Sequence, residues 1–146
     1  MKPDAPNPSS AAGPSKVWNI LLWVVQIILA LLFLYSAYLK LGLSIAEFAR
    51  QGPAPWAPTV PAAFVRFIGI AELAGALGVV LPAATRIKPI LTPLAAVGLF
   101  TILVLAVAFH LSRGESYAIG IPAALTVLPA FVAWGRFRKA PIPPRP

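Results

Sequence analysis

Four stretches of this chain are long, apolar and almost free of charge: residues 17–39, 61–81, 90–111 and 118–135. A helix rises 1.5 Å per residue, so about 20 residues cross the ~30 Å of hydrocarbon in a bilayer. Each stretch is close to that length. The fourth is the shortest and implies little tilt, or a few flanking residues drawn in. Backbone amides in hydrocarbon must be satisfied within their own segment, which for stretches of this kind means helix. The expected fold is therefore all-α: a four-transmembrane-helix bundle, a polytopic membrane protein.

Composition agrees. Apolar residues make up 59% of the 146 and charged residues 11%, against roughly half and a quarter in soluble domains. There is no cysteine, one histidine (His110), and Met1 is the only methionine. The chain cannot form a disulfide, relay electrons through a dithiol, or hold an iron–sulfur cluster. Nor can it supply a bis-His or His/Met pair to a haem by itself. The net charge of +8 does not indicate nucleic acid, because the basic residues flank the apolar stretches and form no basic helix.

Three regions follow. Residues 1–16 (MKPDAPNPSSAAGPSK) are rich in Pro, Ser and Ala, lack hydrophobic periodicity, and read as a disordered cytoplasmic tail. Residues 17–135 form the membrane domain. Residues 136–146 form a basic, Pro-rich cytoplasmic tail, a solvated anchor with a lipid-headgroup patch as the lesser reading. The first apolar stretch is too long for the core of a signal peptide and is expected to be retained. Pro61 and Pro93 suit first-turn positions, whereas GPAPWAPTVP (52–61) is expected to be non-helical loop. Pro122 and Pro129 fall inside the fourth span, where a kinked packing helix is the expectation.

Lys and Arg give the orientation. Eight flank the spans on the side of the termini (Lys2, Lys16, Arg86, Lys88, Arg136, Arg138, Lys139, Arg145), and three flank them on the other (Lys40, Arg50, Arg113). Both termini are expected to face the cytoplasm. Lys40 is then external, Arg66 about one turn inside, His110 at the outer mouth of the third span, and Glu115 in the loop beyond it. Glu72 lies near the midplane. The polar residues of interest lie in the outer half, with almost nothing comparable expected in the inner half.

Glu72 is the least expected residue in the sequence. A charged group at mid-bilayer costs about 2.5–3.5 kcal/mol on insertion scales and generally faces a partner or a cavity. Gly69, Gly75, Ala76 and Gly78 lie near it on one helix, and small residues let another backbone come close. Glu72 is thus expected in a helix–helix seam, either as a structural hydrogen-bonding carboxyl or as a proton site or polar anchor in a cavity. Arg66 is about 240° from it around the helix and ~9 Å along it, so an ion pair between the two is not expected. Arg66 either snorkels outward or reaches another helix. His110 has Glu72, Glu115 and Lys40 as a partner set, or is a helix-end histidine held by a hydrogen bond. A lone histidine is too little for a metal site, so none is expected. Gln26 can hydrogen-bond across the bundle, and Trp18, Trp23, Tyr35, Tyr38, Trp56 and Trp134 suit an interfacial belt. No nucleophile–base arrangement, phosphate loop or zinc spacing is present.

SAYLKL closing the first span, RFIGIAELAGALGVVLP as the second, PILTPLAAVGLFTILVLAVAFHLSRGE as the third with its exit, and a proline-bearing fourth ending in VAWGR come in an order that resembles the DoxX-like family of small four-helix bacterial membrane proteins. In that resemblance Lys40, Glu72, His110 and Arg136 match the family's polar positions. Ala37 departs from it, standing where members often carry glycine. The family takes its name from membrane subunits linked to quinone-dependent oxidation of sulfur compounds, and relatives act in assembly or trafficking. The resemblance thus implies an accessory subunit of a quinone-linked membrane oxidoreductase, with quinone as a non-covalent ligand and a redox enzyme as partner. A non-catalytic assembly or scaffolding protein is the alternative, and a small transporter, which four helices could form only as a homo-oligomer, is third.

Overall fold

The computed structural model describes residues 16–52 and 54–146; the tail expected to be disordered, apart from Lys16, lies outside them. Four long helical spans are present and no strand among the described residues. Helix α1 covers Lys16–Gly42 and a short α2 covers Ile45–Gln51. Helix α3 covers Ala62–Thr85, and α4 covers Leu91–Ser112. The fourth span, Ser116–Lys139, is assembled from pieces: a 3₁₀ turn at Ser116–Ala118, α5 (Gly120–Leu125), α6 (Val127–Trp134) and a π turn at Gly135–Lys139.

The prolines account for that segmentation. Pro122 and Pro129 have no amide to donate to the carbonyls four residues back, Ala118 and Leu125, and those carbonyls fall at the junctions. Gly52–Pro61 is not wholly irregular, since Ala57–Thr59 closes a 3₁₀ turn that begins with Pro58 near its N-terminus. Arg86 ends α3 in the left-handed region (φ 59°), and Lys88 follows with φ 46°. Both are uncommon for residues with a Cβ and make a tight connection to α4.

The spans form a closed ring in which α1 packs on α3, α3 on α4, α4 on α6, and α6 back on α1. Leu29, Phe33, Ala76, Val79, Ala96, Leu99, Leu103 and Val132 fill its centre. The perimeter is apolar too, with Ile20, Leu31, Phe67, Ile70, Leu105 and Val127 exposed, as required of a surface solvated by lipid. Side-chain size therefore decides which faces meet. A Cβ at Gly75 would overlap Leu99 of α4, and one at Gly78 would lie 2.7 Å from the Ala95 Cβ, so both glycines serve the α3–α4 seam. Gly69 serves a different seam, its Cβ position being 3.0 Å from the Lys40 Cβ of α1.

The start of α1 and the end of the fourth span lie at one end of the ring, where Trp18 packs edge-on against Trp134 at 5.5 Å. At the far end α2 and the 3₁₀ turn cap the ring through Phe48, Ala54 and Ala57, packed on Leu39 and Val65. Ser44 and Glu47 form a reciprocal capping box that starts α2. Closure at the far end is incomplete, because α5 leans on α4 and α6 and scarcely touches α1.

Candidate functional site

The far-end half of the ring holds a buried ion pair and a part-buried histidine–carboxylate hydrogen bond around one cavity. The first joins α1 to α3. Helix α1 runs one turn past its apolar stretch, and Lys40 in its last turn points into the bundle, only 8% exposed. The expectation of an external Lys40 is therefore corrected. Its Nζ lies 3.0 Å from each carboxylate oxygen of Glu72 and donates to the Ser36 hydroxyl at 2.6 Å, while that hydroxyl donates to Glu72 Oε1 at 3.2 Å. Ser36 and Lys40 are four residues apart and share a face of α1. The small Gly69 brings that face close enough to α3 for direct contact. Phe48 of α2 lies beneath the ammonium, 5.5 Å from ring centre to nitrogen.

Arg66 makes no bond to Glu72, in keeping with their angular separation. It reaches another helix instead, donating to the carbonyls of Lys40 and, at 2.8 Å, Leu43. Those carbonyls belong to the C-terminal end of α1 and have no partner within it, so Arg66 caps that helix from outside.

The second pair closes α4. His110 Nδ1 lies 2.7 Å from Glu115 Oε2, and Arg113 Nε donates to Glu115 Oε1 at 2.8 Å. The left-handed Gly114 (φ 70°) turns the chain back so that Glu115 can reach the imidazole. The Glu115 carboxyl is held below its ordinary value, first by the hydrogen bond from His110 and then by that from Arg113. Because a carboxylate only accepts, Nδ1 carries the proton and Nε2 is left as the free ring nitrogen. The ring packs edge-on against Trp56, and Trp56 against Phe109 at 5.4 Å. The partner set read from sequence is thus divided: Glu115 takes His110, and Lys40 takes Glu72.

Lys40, Glu72 and His110 line one cavity of about 540 Å³ whose remaining wall is almost wholly apolar and aromatic. Trp56, expected only as a belt residue, forms part of that wall. Exposed Tyr35, Phe67, Tyr117 and Ile121 form its rim, so it opens sideways where the surface itself is apolar. Volumes of roughly 300–1,000 Å³ suit small organic ligands. Among the described residues no three His, Cys, Asp or Glu side chains meet to hold a metal ion.

Residues 24–132 match the DoxX-like family. The chain belongs to that family. No curated protein and no solved structure matches it. The matched stretch of this DoxX-like protein includes Lys40, Glu72, His110 and Glu115; Arg136 lies beyond it.

The half of the ring near the termini is not empty of polar groups, and that expectation is corrected. Arg136 is 3% exposed, donating to Gln26 Oε1 at 2.6 Å and to Asn19 Oδ1 at 2.8 Å. Gln26 donates in turn to the Val79 carbonyl, tying α1 to α3 as well as to the fourth span. Asn19 was absent from the sequence reading, although it lies seven residues before Gln26, hence on nearly the same face of α1. Ser36 was missed too, and its i, i+4 spacing from Lys40 was the available signal.

Proposed function

We propose that this DoxX-like membrane protein is an accessory subunit that holds the head group of a quinone-type ligand for a partner oxidoreductase. The carrying observation is the sideways-opening aromatic cavity with the Lys40–Glu72 pair and the free Nε2 of His110 in its wall. A flat, apolar ring with polar oxygens matches such a lining: aromatic walls stack on the ring, and a few polar groups fix its orientation. His110 Nε2 accepts from a ligand hydroxyl, with Glu115 keeping the imidazole in the required tautomer. Lys40 has three N–H groups, already directed at Ser36 and the two Glu72 oxygens, so a ligand carbonyl takes the position of Ser36. A long apolar tail would leave through the rim into lipid. The Lys and Arg asymmetry supports an inner-membrane protein with cytoplasmic termini and the cavity in the outer half. A chain without cysteine and with one histidine does not carry electrons alone, so the partner supplies the redox centre.

The assembly alternative drew on a glycine-lined seam free for a partner. Gly69, Gly75 and Gly78 are instead occupied by this chain's own α1 and α4, which favours the ligand site. The test is titration of the purified protein in detergent with a short-tailed quinone, read by quenching of tryptophan fluorescence. Saturable quenching is expected, lost in Trp56→Phe and weakened about ten-fold in His110→Gln, which removes the accepting ring nitrogen. Quenching that never saturates, or that ignores both substitutions, overturns the reading.

A further inference from the structure

Arg136 is a buried cation with no counter-ion among the described residues. Its described hydrogen-bond partners are neutral acceptors, Gln26, Asn19 and the Ala140 carbonyl, and its guanidinium lies over the Trp23 ring at 5.6 Å. The described side-chain carboxylates are Glu47, Glu72 and Glu115, and all three lie at the far end, engaged by Ser44, by Lys40 and by His110 with Arg113. One guanidinium nitrogen, Nη2, is buried with no hydrogen-bond partner. A buried charge is ordinarily both paired and hydrogen-bonded, and an orphaned donor on a charged group is costly. Arg136 is hydrogen-bonded through Nε and Nη1, but its charge is unpaired among the described residues and one of its donors is orphaned.

Arg136 also lines a second cavity, of about 360 Å³, at the end of the ring where the termini lie. Its other walls are Lys88, Pro89, Ile90 and Pro93 from the α3–α4 connection and Pro141, Ile142 and Pro144 from the C-terminal tail. The tail is exposed along most of its length, yet it is held in place by backbone contacts. It folds back so that Arg86 donates to the Pro143 carbonyl at 3.2 Å and the Arg145 amide donates to the Arg86 carbonyl at 3.0 Å. That fold places Lys88 and the start of the 22-residue α4 on the same cavity as Arg136. The cavity thus brings two cationic side chains, Arg136 and Lys88, to one place. The walls otherwise carry no carboxylate.

We propose that this cavity is a binding site for a phosphate group, with the Arg136 guanidinium as its buried cation and Lys88 as its solvent-side cation. Arg136 meets phosphate as a planar donor fork, and Lys88 meets it as a mobile point charge. The same chemistry admits the phosphodiester of an anionic lipid or a free phosphate ion. The site is independent of the far-end cavity and of the function assigned to it.

The experiment uses the full chain purified in mild detergent and stripped of lipid. One arm is native mass spectrometry after adding equal phosphatidylglycerol and phosphatidylcholine. The other follows thermal unfolding against inorganic phosphate, with chloride at matched ionic strength. One retained phosphatidylglycerol per chain identifies a lipid phosphate, whereas a saturable phosphate-specific rise in Tm without lipid discrimination identifies a free anion. Lys88→Gln is expected to weaken either response about ten-fold. Lys88 is exposed, so this variant tests the site even where Arg136→Gln does not fold. No discrimination in either arm, or responses unchanged in Lys88→Gln, overturns the proposal. So does phosphate binding that appears only in Asp4→Asn, which would make the chain's own Asp4 the counter-ion.

Discussion

Lys40 on α1 and Glu72 on α3 form a two-point ion pair inside the bundle, with Nζ 3.0 Å from both carboxylate oxygens. The pair explains how a chain this apolar keeps a carboxylate near mid-helix. Each charge removes the other's desolvation problem, and Ser36 satisfies the remaining geometry of both. Neither residue would be tolerated there alone.

It follows that removing one partner should be worse than removing both. Lys40→Met or Glu72→Leu alone is expected to cost about 3–5 kcal/mol, and the double substitution much less than the sum. Unfolding in detergent, run as a double-mutant cycle, measures this. Additive losses would mean that the pair is not coupled.

Arg66 caps α1 through two carbonyls. Arg66→Gln leaves them without charged donors and is expected to destabilise by roughly 1.5–3 kcal/mol, with Arg66→Lys intermediate because an ammonium lacks the planar fork. Limited proteolysis of the α1–α2 connection should quicken in the same order.

Glycine positions on α3 and α4 should behave oppositely. Gly75→Ala meets Leu99 and is expected to cost about 1–3 kcal/mol through overpacking. Gly98→Ala meets nothing within 4 Å and is expected to leave stability unchanged or slightly raised. Thermal unfolding of the two variants side by side decides the matter.

The Glu115 carboxyl is held below its ordinary 4.5 by His110 and then Arg113. A carboxylate with a lowered folded-state value stabilises fully above its unfolded value, and that contribution is lost as pH falls through the lowered one. The Tm difference between the native protein and Glu115→Gln should therefore be largest above 4.5 and shrink as the pH is lowered below it. A constant difference across that range would show that the carboxylate's bonds to His110 and Arg113 contribute nothing.

Much of the candidate site was visible as residue types and little of it as partners. Glu72, His110, Lys40, Arg66 and Glu115 all stand out because ionisable groups near hydrocarbon are conspicuous. That Lys40 takes Glu72 and His110 takes Glu115 does not follow from their spacing. Arg136 stood out only through the family resemblance, and its burial was not legible. In sequence it belongs to a run of tail cations, yet the π turn at Gly135–Lys139 buries it while Arg138 stays exposed.

What the sequence by itself determined was the membrane, the four spans and their ends to within a few residues, since the bilayer imposes a fixed length and hydrocarbon forces backbone amides into helix. The tertiary structure alone decided which face meets which. In a soluble helix the apolar stripe marks the inner face, but here every face is apolar, and the ring is set by where Gly69, Gly75 and Gly78 admit a neighbour. Only that ring carries Lys40 to Glu72, leaves α5 short of α1, and opens a cavity between them.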